Sequence, residues 1–84
     1  MINKITSDMV DKRFDEGCLT VHHIGNCTIA LWYWKGWNIV KYSACVDEEN
    51  FSKEIGEDLC IEKIKDELWM LLGYELFLER IKER

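Results

Sequence analysis

The sequence predicts an α+β domain built from a short N-terminal helix, a three-stranded antiparallel sheet and a long C-terminal helix packed on one sheet face. Three observations predict this class: a β-branched and aromatic run at residues 27–34, a Lys35-Gly36 pair suited to a tight turn, and apolar residues at three- and four-residue steps from Leu59 to Leu72. The length of 84 residues fits one domain, 1–84, with a modest core.

The first element is a short helix over residues 6–14. Thr6, Ser7 or Asp8 can cap its start, because each side chain carries an oxygen that accepts a hydrogen bond from a free backbone N–H. The apolar side of this helix is narrow, and residues 15–17 (Asp-Glu-Gly) end it.

The sheet is predicted from three runs of residues. Residues 18–21 form the first strand, residues 22–26 turn the chain, and residues 27–34 form the second strand. Lys35-Gly36 supplies a two-residue hairpin loop, because glycine adopts the positive φ that such loops need. Residues 37–45 return as the third strand.

This hairpin register places Trp34 opposite Trp37 and Trp32 opposite Ile39. One face of the sheet is continuous and of medium size, and we expect it to pack against the long helix: Cys27, Ile29, Leu31, Tyr33, Val40, Tyr42 and Ala44. The other face mixes polar residues with an aromatic end: Thr28, Ala30, Trp32, Trp34, Trp37, Ile39, Lys41 and Ser43.

The long helix is predicted over residues 52–72, after a short helical turn at residues 47–51. Asp47 or Ser52 can cap it, and Gly73 either kinks or ends it. The apolar residues of this helix recur every three or four positions, and we expect them to pack on the medium-sized sheet face. Together they predict the main core residues: Cys27, Ile29, Leu31, Val40, Tyr42, Ile61, Ile64, Leu68, Trp69 and Leu72.

Composition limits the function. The formal net charge of −5 argues against nonspecific nucleic-acid binding through a basic surface and fits a protein that docks on a basic one. There is no apolar run of about 18 residues and no apolar signal core, so neither a membrane span nor secretion is expected. The four cysteines are then reduced thiols, and no cofactor is expected.

An ordered set of short motifs follows the hairpin: Ser43-Ala44-Cys45, Asn50-Phe51, Ile55-Gly56, Trp69, Gly73-Tyr74 and Leu76. Together with the aromatic hairpin, this set resembles the phage gene product 49 / gene 66 family of small tailed-bacteriophage proteins, over about residues 27–77. Lys35-Gly36 stands where that family usually has Asn-Gly. The resemblance implies a phage origin and a setting in the cytoplasm of an infected or lysogenic bacterium, and it implies no catalytic residues.

Two groups of side chains invite a chemical interpretation. His22 and His23 with Cys18 and Cys27 could form a zinc site, but adjacent strand residues point to opposite faces and a structural zinc needs four converging ligands. Cys45 could be a nucleophile in a small thiol enzyme, but the acidic residues that follow it disfavour a thiolate. Ordinary structural histidines and a buried cysteine are the better interpretations, so neither a metal site nor an enzyme is expected.

Trp32, Trp34 and Trp37 support the sharpest functional hypothesis, an exposed aromatic patch that anchors a partner. The alternative is a core cluster covered by the N-terminal helix. Asp47, Glu48 and Glu49 add either a negative docking surface or favourable charge at a helix start.

We therefore expect a non-enzymatic phage accessory protein that binds and inhibits a host defence protein acting on nucleic acid, such as a CRISPR effector nuclease. A single-stranded nucleic-acid-binding replication protein is the alternative, in which the same rings stack on bases. Self-association as a homodimer is a further possibility, because one helix cannot cover both faces of the sheet.

Overall fold

The computed structural model describes residues 4–46 and 52–83, and it confirms the predicted α+β fold. A short helix, three antiparallel strands in the order β1-β2-β3 and a long helix follow one another: α1 (Ser7–Glu16), β1 (Cys18–Ile24), β2 (Cys27–Trp34), β3 (Trp37–Ala44) and α2 (Lys53–Lys82). The helical turn predicted at residues 47–51 lies outside the described residues.

Both helices begin at a side chain that caps a free backbone N–H group. The hydroxyl of Thr6 accepts a hydrogen bond from the Met9 N–H at 3.4 Å, and the hydroxyl of Ser52 accepts one from Ile55 at 3.3 Å. These bonds satisfy donors that have no partner within the helix. Thr6 and Ser52 are therefore the caps among the candidates that the sequence offered.

The predicted end of the long helix near Leu72 is wrong, because α2 passes through Gly73 and continues to Lys82, for a total of 30 residues. A glycine inside a helix costs only about 1 kcal/mol relative to alanine. The residues that follow Gly73 are mostly strong helix formers, and a Glu-rich and Leu-rich stretch outweighs a single glycine.

The predicted hairpin register is confirmed: Trp34 pairs with Trp37 and Trp32 pairs with Ile39. Lys35 and Gly36 form its loop with φ values of 49° and 90°, the positive values that a type I′ turn requires. The first strand is longer than expected, since β1 includes both histidines and the loop before β2 contains only Gly25 and Asn26. The predicted five-residue turn at residues 22–26 is therefore wrong.

The choice of sheet face is also wrong, because α2 packs on the face that carries Thr28, Ala30, Trp32 and Ile39. Of the predicted core residues on the other face, Val40 and Tyr42 are exposed and Cys27, Ile29 and Leu31 are only partly buried. Ile64, Leu68 and Leu72 are buried as predicted, whereas Ile61 is partly buried and Trp69 is exposed.

Small residues explain this choice of face. Every fourth residue of α2 faces the sheet in the stripe Gly56, Cys60, Ile64, Leu68 and Leu72. At the start of this stripe the helix comes so close to β2 that a Cβ atom on Gly56 would lie 2.3 Å from the Thr28 hydroxyl oxygen. Thr28 and Ala30 are the small β2 residues that admit the helix, whereas the other face of β2 presents the larger Ile29 and Leu31.

The molecule is elongated. Its principal extents are 56 × 22 × 17 Å and its radius of gyration is 15.5 Å, against roughly 12 Å for a compact chain of this length. From Gly73 to Glu83 no residue of the chain is buried. Leu72 is thus the last buried residue of α2, and we call residues 70–82, which include it and the exposed end of the helix, the α2 arm.

Candidate partner-binding surface

An apolar groove of about 380 Å³ lies between the tip of the β2–β3 hairpin and the middle of α2. We call it the tryptophan groove. Its lining comes from α1, the hairpin and α2: Arg13, Trp32, Trp34, Trp37, Leu68, Leu71, Tyr74, Glu75 and Leu78. Its volume falls within the range of small-molecule sites, and four of its nine lining residues are aromatic. The fold therefore concentrates three of its four indole rings around one concave surface.

The three tryptophans predicted to bind a partner have different environments. Trp32 is 1% exposed, its ring stacks on Phe14 with centroids 6.5 Å apart, and its indole N–H donates to the Phe14 carbonyl at 2.9 Å. This residue is thus a core residue at the floor of the groove, which corrects its placement in an exposed patch. Trp34 is half-buried and Trp37 is 53% exposed, so these two rings are accessible to another molecule.

Cationic groups lie beside the half-buried ring. The guanidinium carbon of Arg13 lies 4.3 Å from the centroid of Trp34, and Lys35 Nζ lies 5.0 Å from it. Arg13 also donates two hydrogen bonds to the carboxylate of Glu75, at 3.0 and 3.2 Å. This two-bond pair links α1 to α2 along one wall of the groove.

The acidic residues predicted to take part in binding, Asp47, Glu48 and Glu49, lie outside the described residues, so their role stays a prediction. Two acidic residues that follow them can be placed. Glu54 occupies the first turn of α2, where negative charge is favourable, and Glu57 Oε1 lies 2.9 Å from His23 Nε2.

The histidines and cysteines lie in different environments. His22 and His23 point to opposite sheet faces, and His23 Nδ1 also lies 3.1 Å from the Thr28 hydroxyl. Within residues 4–46 and 52–83, no group of three or more metal-ligating side chains converges. Cys60 is buried against the Thr28 carbonyl at 3.5 Å, and burial raises the pKa of its thiol above the ordinary 9.0. Cys18, in contrast, is exposed.

Comparison with known protein families gives one match. Residues 3–79 match the model of the Phage protein (N4 Gp49/phage Sf6 gene 66) family. The chain belongs to this family. No curated protein and no solved structure matches the chain. The match extends beyond the motif set at residues 27–77, because it also includes the α1 segment that forms one wall of the tryptophan groove.

Three of the motifs named from the sequence fall in two places. The Ser43-Ala44-Cys45 strand end and Ile55-Gly56 line a small cavity of about 170 Å³ where β3 ends and α2 begins. Gly73 and Tyr74 lie at the base of the α2 arm, and Tyr74 reaches the tryptophan groove. Asn50-Phe51 lies outside the described residues.

Sequence reasoning missed the helical side of the groove. Leu71, Tyr74 and Leu78 line it, although the sequence reading ended the helix before two of them. The sequence does contain a signal for this wall. Leu71, Tyr74 and Leu78 are spaced three, four and seven residues apart, the spacing of residues on one side of a helix, and this spacing continues past Gly73. In the part of the chain that the structure describes, neither helix has the length and apolar character needed to cross a bilayer.

Proposed function

We propose that this phage-family protein is a non-enzymatic accessory protein that binds a host protein through the tryptophan groove. The observation that supports it is the groove itself, in which an exposed Trp37 and a half-buried Trp34 face the apolar side of α2. Tryptophan rings in a concave apolar site dominate many protein interfaces, since each buries a large area while losing few rotamers.

The charge of the chain favours a basic partner. The formal net charge is −5, and a negative molecule approaches a positive surface faster and with better orientation. Host proteins that handle nucleic acids carry such positive channels. We therefore propose the more specific role of inhibiting a host defence protein that acts on nucleic acid, for example a CRISPR effector nuclease, in the cytoplasm of the infected or lysogenic bacterium.

The decisive variant is Trp37→Ala. Adding the wild-type protein to the purified effector nuclease should suppress cleavage of its target, and Trp37→Ala should weaken binding by about 30-fold, as expected when a central aromatic anchor is lost. Isothermal titration would give the affinities, and a cleavage assay would give the inhibition.

Tyr42→Ala is the matched control, because Tyr42 is an exposed aromatic residue on the opposite sheet face, outside the groove. This variant should bind and inhibit like the wild type. Equal inhibition by wild type and Trp37→Ala would contradict the groove assignment. A wild-type protein that neither binds the effector nor slows cleavage would contradict the inhibitor role.

One observation favours a second candidate, a single-stranded nucleic-acid binder. The cations Arg13 and Lys35 both approach the Trp34 ring, and a cation beside a stacking platform is typical of surfaces that bind single strands. Titration with oligonucleotides should then quench tryptophan fluorescence, and the affinity should fall steeply as salt is added. Absence of quenching at low salt would reject this candidate.

A further inference from the structure

The α2 arm carries a row of exposed apolar side chains. Met70, Tyr74, Phe77 and Ile81 are 75%, 59%, 55% and 48% exposed. Their spacings of four, three and four residues place them on one side of the helix, because an α-helix has about 3.6 residues per turn. We call these four positions the arm seam. This alternation of three and four is the repeat by which helices pack on other helices.

Nearer the N-terminus of α2, this same side of the helix contacts strand β3. The positions that continue the repeat toward the N-terminus are Lys63 and Glu67, and both contact β3. Lys63 Nζ donates to the Tyr42 carbonyl at 2.7 Å, and Glu67 pairs with Lys41 at 2.9 Å. From Met70 onward the side chains of this row become apolar and exposed. The composition therefore changes from polar to apolar where the sheet no longer accompanies the helix.

We propose that the arm seam packs against the arm seam of a second copy of this chain, with the two helices antiparallel. In this register Met70 meets Ile81 of the second copy and Tyr74 meets its Phe77. The two-fold axis repeats both pairs, so every seam position faces an apolar residue. The arm seam is thus complementary to the same seam on a second copy.

The residues beside the seam select the antiparallel orientation. Leu71 and Leu78 occupy equivalent flanking positions in successive repeats, and antiparallel helices bring Leu71 next to Leu78 of the second copy. Parallel helices would instead place Leu71 beside Asp66 and Leu78 beside Gly73 of the second copy. Only the antiparallel pair continues the apolar surface beyond the seam itself.

The seam is short, but its helix is already formed. An isolated helix of this length is marginal in water, because its first turn must be nucleated at a large entropic cost. Here the packing of residues 53–72 on the sheet nucleates α2 before any partner arrives. Association therefore has to order side chains only, and it needs no host protein, although Tyr74 belongs both to the seam and to the lining of the tryptophan groove.

The test is the mass of the purified protein in solution, measured by sedimentation velocity over a concentration series. Wild type should approach twice the chain mass of 10.0 kDa. Phe77→Lys should weaken self-association by more than about tenfold, since it places a lysine in the middle of the seam in both copies. Phe77 packs on Tyr74 but does not itself line the tryptophan groove, so this variant removes no side chain that lines the proposed host-binding site.

Glu79→Lys is the matched control, since it adds a lysine two residues away, outside the seam, and should remain a dimer. A monomeric wild type, or a Phe77→Lys variant that associates as strongly as wild type, would overturn the proposal. Because no host protein is present in this experiment, its outcome is separate from that of the inhibition assay.

A charge exchange tests the orientation. Met70→Lys with Ile81→Glu places opposite charges in contact across an antiparallel pair but like charges in contact across a parallel one. The double variant should therefore associate more strongly than either single variant. Weaker association of the double variant than of both single variants would overturn the antiparallel arrangement.

Discussion

Trp32→Ala should lower the free energy of unfolding by about 3–5 kcal/mol, because it removes the largest fully buried side chain among residues 4–46 and 52–83 and leaves a cavity between α1, β2 and α2. The loss is large compared with the roughly 5–15 kcal/mol that stabilises a typical domain. The ring also stacks on Phe14 and donates to its carbonyl, so the truncation removes both the stacking contact and one of the two hydrogen bonds that this carbonyl accepts, the other coming from the Gly17 N–H.

Chemical denaturation followed by circular dichroism measures this effect. Trp32→Phe keeps most of the ring but loses the indole N–H, so its cost should be intermediate. Trp37→Ala is the exposed control and should change the free energy of unfolding by less than about 1 kcal/mol. Equal costs for Trp32→Ala and Trp37→Ala would contradict the assignment of Trp32 to the core.

Gly56→Ala should destabilise the fold by about 2–3 kcal/mol, although alanine is the better helix former. The added Cβ would lie 2.3 Å from the Thr28 hydroxyl oxygen, well inside contact distance. Thr28 is fully buried and its hydroxyl is within hydrogen-bond distance of His23, so it cannot move aside easily. The helix must therefore shift away from β2, and packing along the whole stripe is loosened.

The same substitution elsewhere in the same helix supplies the control. Gly73→Ala should raise the free energy of unfolding by about 0.5–1 kcal/mol, because no atom lies within 4 Å of the added Cβ and only the helix propensity changes. Thermal or denaturant unfolding of both variants measures the contrast. A stabilising Gly56→Ala would show that the close approach of α2 to β2 is not a constraint.

A double-mutant cycle tests the cause. Combining Gly56→Ala with Thr28→Ala removes the oxygen that the new Cβ meets, so the two costs should sum to more than the cost of the double variant. A coupling of about 1 kcal/mol is expected, because the Thr28 Cβ would still lie 3.0 Å from the added methyl group. If the costs of the two single variants add up exactly to the cost of the double variant, the strain in Gly56→Ala does not come from the contact with Thr28.

The sheet could be predicted in register but not in orientation. The Lys35-Gly36 loop fixes which residues pair, and alternation then fixes which residues share a face. Both faces contain large apolar residues, so hydrophobicity does not distinguish the covered face from the open one. The distinguishing signal is residue size, since Gly56, Thr28 and Ala30 permit close contact between helix and strand.

The sequence predicts the sheet side of the candidate site but not its contacts with the helices. The sequence places Trp32, Trp34 and Trp37 on one sheet face, and the structure agrees with that placement. The sequence alone cannot reveal that Phe14 covers Trp32. These residues are 18 positions apart, and they meet only because α1 packs against the sheet. The helical wall of the groove differs from the prediction because Gly73 does not end α2, and the apolar repeat continues through it.

The exposed Cys18 affects how the mass of this protein must be measured. An accessible thiol is oxidised slowly in air, and a disulfide between two copies would give the same doubled mass as a helical pair. Reducing agent abolishes the first species and leaves the second unchanged. The mass in solution should therefore be measured on a Cys18→Ser variant kept under reducing agent.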